Sequence, residues 1–128
     1  MATKSPLKNK GTYLLFLELR EDSVIRVGRL GEFQFKRGIY LYVGSAMNGF
    51  GARIRRYISG GRKRHWHIDY ILDVANLMAI LLIPSETRIE EEVASLLEKK
   101  FEPAVDGFGS SDTNSTTHLF YLGDLKIG

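Results

Sequence analysis

No cysteine occurs anywhere in the chain. That excludes disulfides, thiolate-bound zinc and cysteine nucleophiles, and it fits a reducing, cytoplasmic setting. Long apolar runs are missing too. A membrane-spanning helix needs about 18 consecutive apolar residues, whereas the longest candidate here, Leu77 to Pro84, is strand-sized. Met1 to Lys10 contains no apolar core of the kind a secretory signal carries, so residues 1–10 are expected to form a flexible basic tail. The rest, 11–128, suffices for one domain and is too short for two. Acids are absent from one stretch in particular: Arg53, Arg55, Arg56, Arg62, Lys63 and Arg64 lead up to His65 with no Asp or Glu among them. The net charge of +3 is small, but this local density attracts phosphate backbones. A solvated basic face carries the same signature, so charge alone leaves both readings open.

What is present reads as alternating strands and helices. Gly11 to Leu19 is rich in β-formers and predicts a strand. Val24 to Val27 and Phe33 to Phe35 predict a hairpin, and Gly38 to Gly44 another strand. Beyond a glycine-rich loop, Phe50, Ile54, Tyr57 and Ile58 form the apolar stripe of a helix ending at Gly60 and Gly61. His65 to Val74 predicts a second helix, and Met78 to Ile83 a strand. Ser85 is the expected cap of a third helix that reaches about Phe101. A Gly-, Ser- and Thr-rich loop over 103–117 precedes a last strand, His118 to Leu122. The expected fold is mixed α/β of the α+β type: a small, largely antiparallel sheet flanked by about three helices.

Several blocks carry a family resemblance. Gly11-Thr12-Tyr13 opens the first strand, and Tyr42-Val43-Gly44 is followed by Ser45-Ala46, Asn48 and Arg53. In this order they resemble the two motifs and helical arginine of the GIY-YIG nuclease superfamily. A literal Gly38-Ile39-Tyr40 also occurs, but Tyr40 shares a strand with Tyr42, while the family puts its two motifs on adjacent strands. Tyr13 and Tyr42 lie 29 positions apart, longer than the family norm, as though a hairpin were inserted between the motif strands. Gly38 to Ala46, the run His65 to Leu72, Glu90, Gly107 to Asp112 and His118 to Tyr121 resemble one prokaryotic branch of that superfamily. The chain departs from the branch at Thr113 and Ser115, where cysteines are frequent. It departs from the superfamily at Tyr57, which stands where a histidine is usual.

The resemblance implies a metal-dependent endonuclease. Glu90 would hold one divalent ion, Mg²⁺ or Mn²⁺. Tyr13 would act as general base with help from Tyr42, and Arg53 would steady the phosphate. A tyrosine is a poor base unless a cation lowers its pKa. With Tyr57 in place of histidine, proton transfer falls to that phenol or to His65 or His67. The expected partner is nucleic acid, DNA rather than RNA, with DNA-repair proteins as further candidates and Arg55, Arg56, Arg62, Lys63 and Arg64 contacting the backbone. Each residue has a plainer alternative. Tyr13, Tyr40 and Tyr42 suit ordinary strand packing; Arg53 can snorkel along the stripe; Trp66 reads as core. His65 and His67, two apart on one helix, point to different faces and are poorly placed to chelate zinc. His118, with Asp112 nearby, reads equally as a site residue or a loop anchor.

The helical wheel separates three adjacent glutamates. Ile89, Val93, Leu96, Leu97 and Phe101 define an apolar arc. Glu90 falls inside it, Glu91 opposite and Glu92 beyond its edge. A carboxylate on an apolar face is costly unless it is paired or metal-bound; the alternative is that the arc ends there and Glu90 reaches water or a basic partner. Three functions are therefore weighed: an endonuclease, a non-catalytic nucleic-acid-binding module that keeps the fold, and an accessory domain that uses the 103–117 loop to bind protein.

The basic run gives the first testable expectation. Replacing Arg62, Lys63 and Arg64 together with Ala should weaken duplex binding regardless of sequence. It should also flatten the dependence of log K on log salt by about 2 to 3, since each lost phosphate contact removes about 0.9. Titrations across a salt series check this, and an unchanged slope would remove the run from the interface.

Overall fold

The computed structural model describes residues 9–59, 63–105, 107–108 and 117–124. Its strands are β1 (Gly11–Leu19), β2 (Ser23–Arg26), β3 (Glu32–Phe35), β4 (Gly38–Ala46), β5 (Asn76–Pro84), β6 (Glu102–Pro103) and β7 (Leu119–Gly123). Its helices are α1 (Phe50–Ile58), α2 (His67–Leu72) and α3 (Glu90–Glu98). One sheet runs in the order β5-β1-β4-β7-β6, and β2 and β3 form a separate hairpin. Every pairing is antiparallel. This is the expected mixed α+β architecture. The β2–β3 hairpin lies between β1 and β4 in sequence, yet those two strands pair along nine residues. No helix among the described residues is long and apolar enough to cross a membrane.

The central strands read as nearly continuous apolar runs because both their faces are covered. On one face Tyr13, Leu15, Leu17, Tyr40, Tyr42 and Leu119 pack against Phe50 and Tyr57 of α1 and Ile68 and Ile71 of α2. The hairpin adds Ile25 and Phe35 to that core. On the other face Leu14, Leu41, Val43 and Phe120 pack under α3 through Ala94, Val93, Leu97 and Phe101. The sheet therefore has α1, α2 and the hairpin on one side and α3 on the other.

Several sequence expectations need correction. Asn9 and Lys10 are not free tail: their carbonyls accept the N–H groups of Phe50 at 2.9 Å and Ser85 at 3.0 Å. Residues 1–8 lie outside the described residues. Helix α2 starts at His67 rather than His65, because the Asp69 carboxylate takes the N–H groups of both His65 and Trp66, each at 2.8 Å, and fixes them ahead of the first turn. His65 and His67 are thus not two positions on one helix. Ser85 does not cap α3: its hydroxyl donates to the Thr87 carbonyl at 2.7 Å in a local turn, and the helix begins at Glu90. Leu96, counted in the apolar arc, is 63% exposed. Trp66 is half-buried against the core edge rather than inside it. Part of the expected loop is a short strand, β6, paired with β7.

One close approach ties the two motif strands together. Tyr13 sits opposite Gly44 in the β1–β4 ladder. A Cβ on Gly44 would overlap the Tyr13 phenol ring, so the glycine of Tyr42-Val43-Gly44 is there to make room for that tyrosine. Gly44→Ala should lower stability by about 1–3 kcal/mol, the usual penalty of overpacking. Urea melts measure it; a variant as stable as the parent would mean that the ring does not rest on this position.

Candidate active site

Three phenols meet on the α1 side of the sheet. Tyr13 and Tyr42 come from neighbouring strands, and α1 brings Tyr57 two turns after Phe50. The hydroxyls of Tyr13 and Tyr57 are hydrogen-bonded. Their ring centres lie 5.6 Å apart, and those of Tyr13 and Tyr42 6.5 Å. All three are buried. Burial, helped by the neighbouring phenols, raises Tyr13 and Tyr42 well above the usual tyrosine range; the Arg53 charge opposes it. Burial raises Tyr57 as well, against its bond to Tyr13 and the pull of Arg53. All three are neutral near pH 7. Tyr40 is apart from this group, donating to the Lys36 carbonyl at 2.6 Å.

Arg53 is the cation of the cluster. Its Nε donates to the Ser45 carbonyl at 3.4 Å, and its guanidinium lies 4.3 Å from the centre of the Trp66 ring. The guanidinium of Arg56 lies 4.5 Å from the same ring. Trp66 thus supports two arginines, each of which gains from the π-face. Arg56 is further fixed by Asp69, a fully buried carboxylate, at 2.5 Å. Burial works to raise the pKa of Asp69, but the N–H groups of Trp66 and His65 and the Arg56 guanidinium outweigh it and hold the carboxyl below its usual range.

The basic run is therefore free of acids in sequence but not in space. Arg56 belongs to Asp69, and Arg64 pairs with Asp73 at 2.6 Å. Arg55 and Lys63 are exposed. Arg62 lies outside the described residues, as do Asp112, Thr113 and Ser115. His65 is exposed, its ring 5.4 Å from that of Trp66 and apart from the phenols in burial. His67 packs 5.4 Å from Phe108, and burial lowers its pKa. Asp69 went unnoticed as a functional residue, although its place three positions after the residue preceding α2 is the spacing of a capping box.

Glu90 opens α3, in line with buried Ala94 and with Leu97 and Phe101, which face the core. Its side chain is 15% exposed. Burial raises its pKa against the opposing charges of Arg88 and Arg53. Arg88 Nη1 lies 3.7 Å from Oε1, and His118 Nδ1 lies 3.8 Å from Oε2. Tyr42 feels the Glu90 charge, so α3 delivers its first carboxylate within electrostatic reach of the phenols and Arg53. Among the described residues no three His, Asp or Glu side chains cluster as a metal cage. One half-buried carboxylate suits a hard dication that keeps several waters.

A family model described as "Domain of unknown function DUF123" matches residues 12–127. No curated protein and no solved structure matches the chain.

The Arg56–Asp69 pair anchors the start of α2, and breaking a buried pair typically costs about 3–5 kcal/mol. Asp69→Asn should lose stability of that order, whereas Arg55→Ala should shift it by less than about 0.5 kcal/mol. Because the folded-state pKa of Asp69 is depressed, its contribution is fully present above about pH 4 and disappears as pH falls through the depressed value. Urea melts of parent and variant down this pH range should converge; parallel curves would take Asp69 out of the acid response.

Proposed function

The chain belongs to the family described as domain of unknown function DUF123, and we propose that it hydrolyses phosphodiester bonds in nucleic acid, DNA foremost, with one divalent cation. The observation that carries this reading is the reach of the Arg53 charge to Tyr13, Tyr42, Tyr57 and Glu90, which arrive from four separate elements. Phosphoryl chemistry needs a cation for the phosphate, a group to move a proton and an anion to hold a metal. Those types meet here. The exposed Arg55 and Lys63 of the basic run support an anionic polymer as substrate. The lack of cysteine supports a cytoplasmic setting.

In this reading Glu90 would hold Mg²⁺ or Mn²⁺, and the ion would supply positive charge against the phosphate. Arg53, fixed by Trp66 and the Ser45 carbonyl, presents its other N–H groups to phosphate oxygens. The hydrogen-bonded Tyr13–Tyr57 pair would first give up one proton to solvent. The Tyr13 phenolate, shared with Tyr57 through that bond, would then take a proton from the attacking water as the water oxygen bonds to phosphorus and the ester P–O bond breaks, the leaving oxygen taking up a proton from solvent. Arg53 favours any phenolate that develops. Tyr42 packs beside Tyr13, its ring centre 6.5 Å away, with Phe108 edge-on 6.1 Å from it. The neutral, buried phenols also favour a second reading, a nucleic-acid-binding module in which the chemistry has lapsed.

Glu90→Gln should abolish metal-dependent cleavage while leaving DNA affinity within about twofold, and Glu91→Gln should change neither. Cleavage and binding assays on both variants check this. Wild-type cutting by Glu90→Gln would remove the carboxylate from the reaction.

A further inference from the structure

The His118 ring is a buried polar group without a hydrogen-bond partner among the described residues. The residue lies just before β7, where its carbonyl accepts the Val43 N–H at 3.0 Å, and is 1% exposed. Neither ring nitrogen has a hydrogen-bond partner among the described residues. Leaving such a group unsatisfied costs about 1–3 kcal/mol, and an orphan of this kind in a native core calls for a reason.

The reason lies 3.8 Å away. Glu90 Oε1 faces Arg88, and Oε2 faces His118 Nδ1 across a gap too wide for a hydrogen bond. Two donor atoms that each bind one dication at about 2.1 Å can stand no more than about 4.2 Å apart. The observed gap falls inside that limit. We infer that Glu90 and His118 together hold one first-row transition-metal dication, with the carboxylate contributed by α3 and the imidazole by the approach to β7. The inference rests on the reading of Glu90 as the metal ligand and adds what that reading lacks, the class of metal. An oxygen donor alone suits Mg²⁺, whereas an added imidazole favours Mn²⁺, Co²⁺ or Zn²⁺.

Calorimetric titration of the full chain with Mn²⁺, Co²⁺ and Mg²⁺ tests this. His118→Phe removes both nitrogens at nearly constant shape. It should weaken Mn²⁺ and Co²⁺ at least about 10-fold and leave Mg²⁺ nearly unchanged, while Glu90→Gln should lose all three. If His118→Phe binds Mn²⁺ and Co²⁺ like the parent while Glu90→Gln binds neither, His118 is no ligand and the Glu90 reading stands. Equal binding by Glu90→Gln overturns both. Should His118→Phe fail to fold, the parent protein decides: on addition of Zn²⁺ the imidazole ¹⁵N signals of His118 should move in long-range ¹H–¹⁵N spectra, and their standing still overturns the inference.

Discussion

The antiparallel ladder between β1 and β4 is the contact on which the rest of the molecule depends. Its register seats Tyr13 over Gly44 and Leu15 beside Tyr42. A slip of one residue would turn Tyr13 to the α3 face and exchange the two cores. With the register fixed, Tyr13 and Tyr42 share a face, α1 can lay Tyr57 against them, and the α1 arginine stands beside the phenols. The β2–β3 hairpin adds length between the motif strands without separating them, because it folds as its own two-stranded unit and lends Ile25 and Phe35 to the same core.

Around that frame, charges are held close to a dry layer, and each has a compensating feature. Asp69 is fully buried, yet three donors hold it ionised. Arg53 and Arg56 lie over one tryptophan ring. Glu90 is the exception. Its nearest cationic group, Arg88, stands at 3.7 Å, beyond hydrogen-bond reach, and its burial raises its pKa. That carboxylate faces the His118 ring, whose nitrogens have no hydrogen-bond partner among the described residues. Asp69 Oδ2 collects its three donors from the start of α2 and from α1 and is structural; the Glu90 carboxylate and the His118 ring face each other across 3.8 Å.

Much of this was legible in the residues. β1 was readable to its last residue because GTYLLFLEL is rich in β-formers and bounded by a turn. The helical wheel chose Glu90 from three adjacent glutamates, and the structure puts Glu90 further inside than the wheel did: with Leu96 turned to solvent, the buried line runs through Ala94, Leu97 and Phe101. Tertiary pairing was harder to read. The basic run looked unopposed because its acids, Asp69 and Asp73, arrive from the next helix. The Ser85 cap failed for a local reason, since a serine hydroxyl serves a turn as readily as a helix end. Nor does sequence show that a histidine ring is buried with no hydrogen-bond partner among the described residues, which is the property that marks His118.

The central claim is phosphodiester hydrolysis that requires a metal. It is tested most directly by incubating the protein with nicked, branched and abasic DNA and with structured RNA, in Mg²⁺, in Mn²⁺ and in EDTA, and resolving the products on denaturing gels. The account predicts cuts in at least one DNA substrate with metal present and none in EDTA. Salt-sensitive binding with no cutting under any condition would contradict it and leave the binding module as the function.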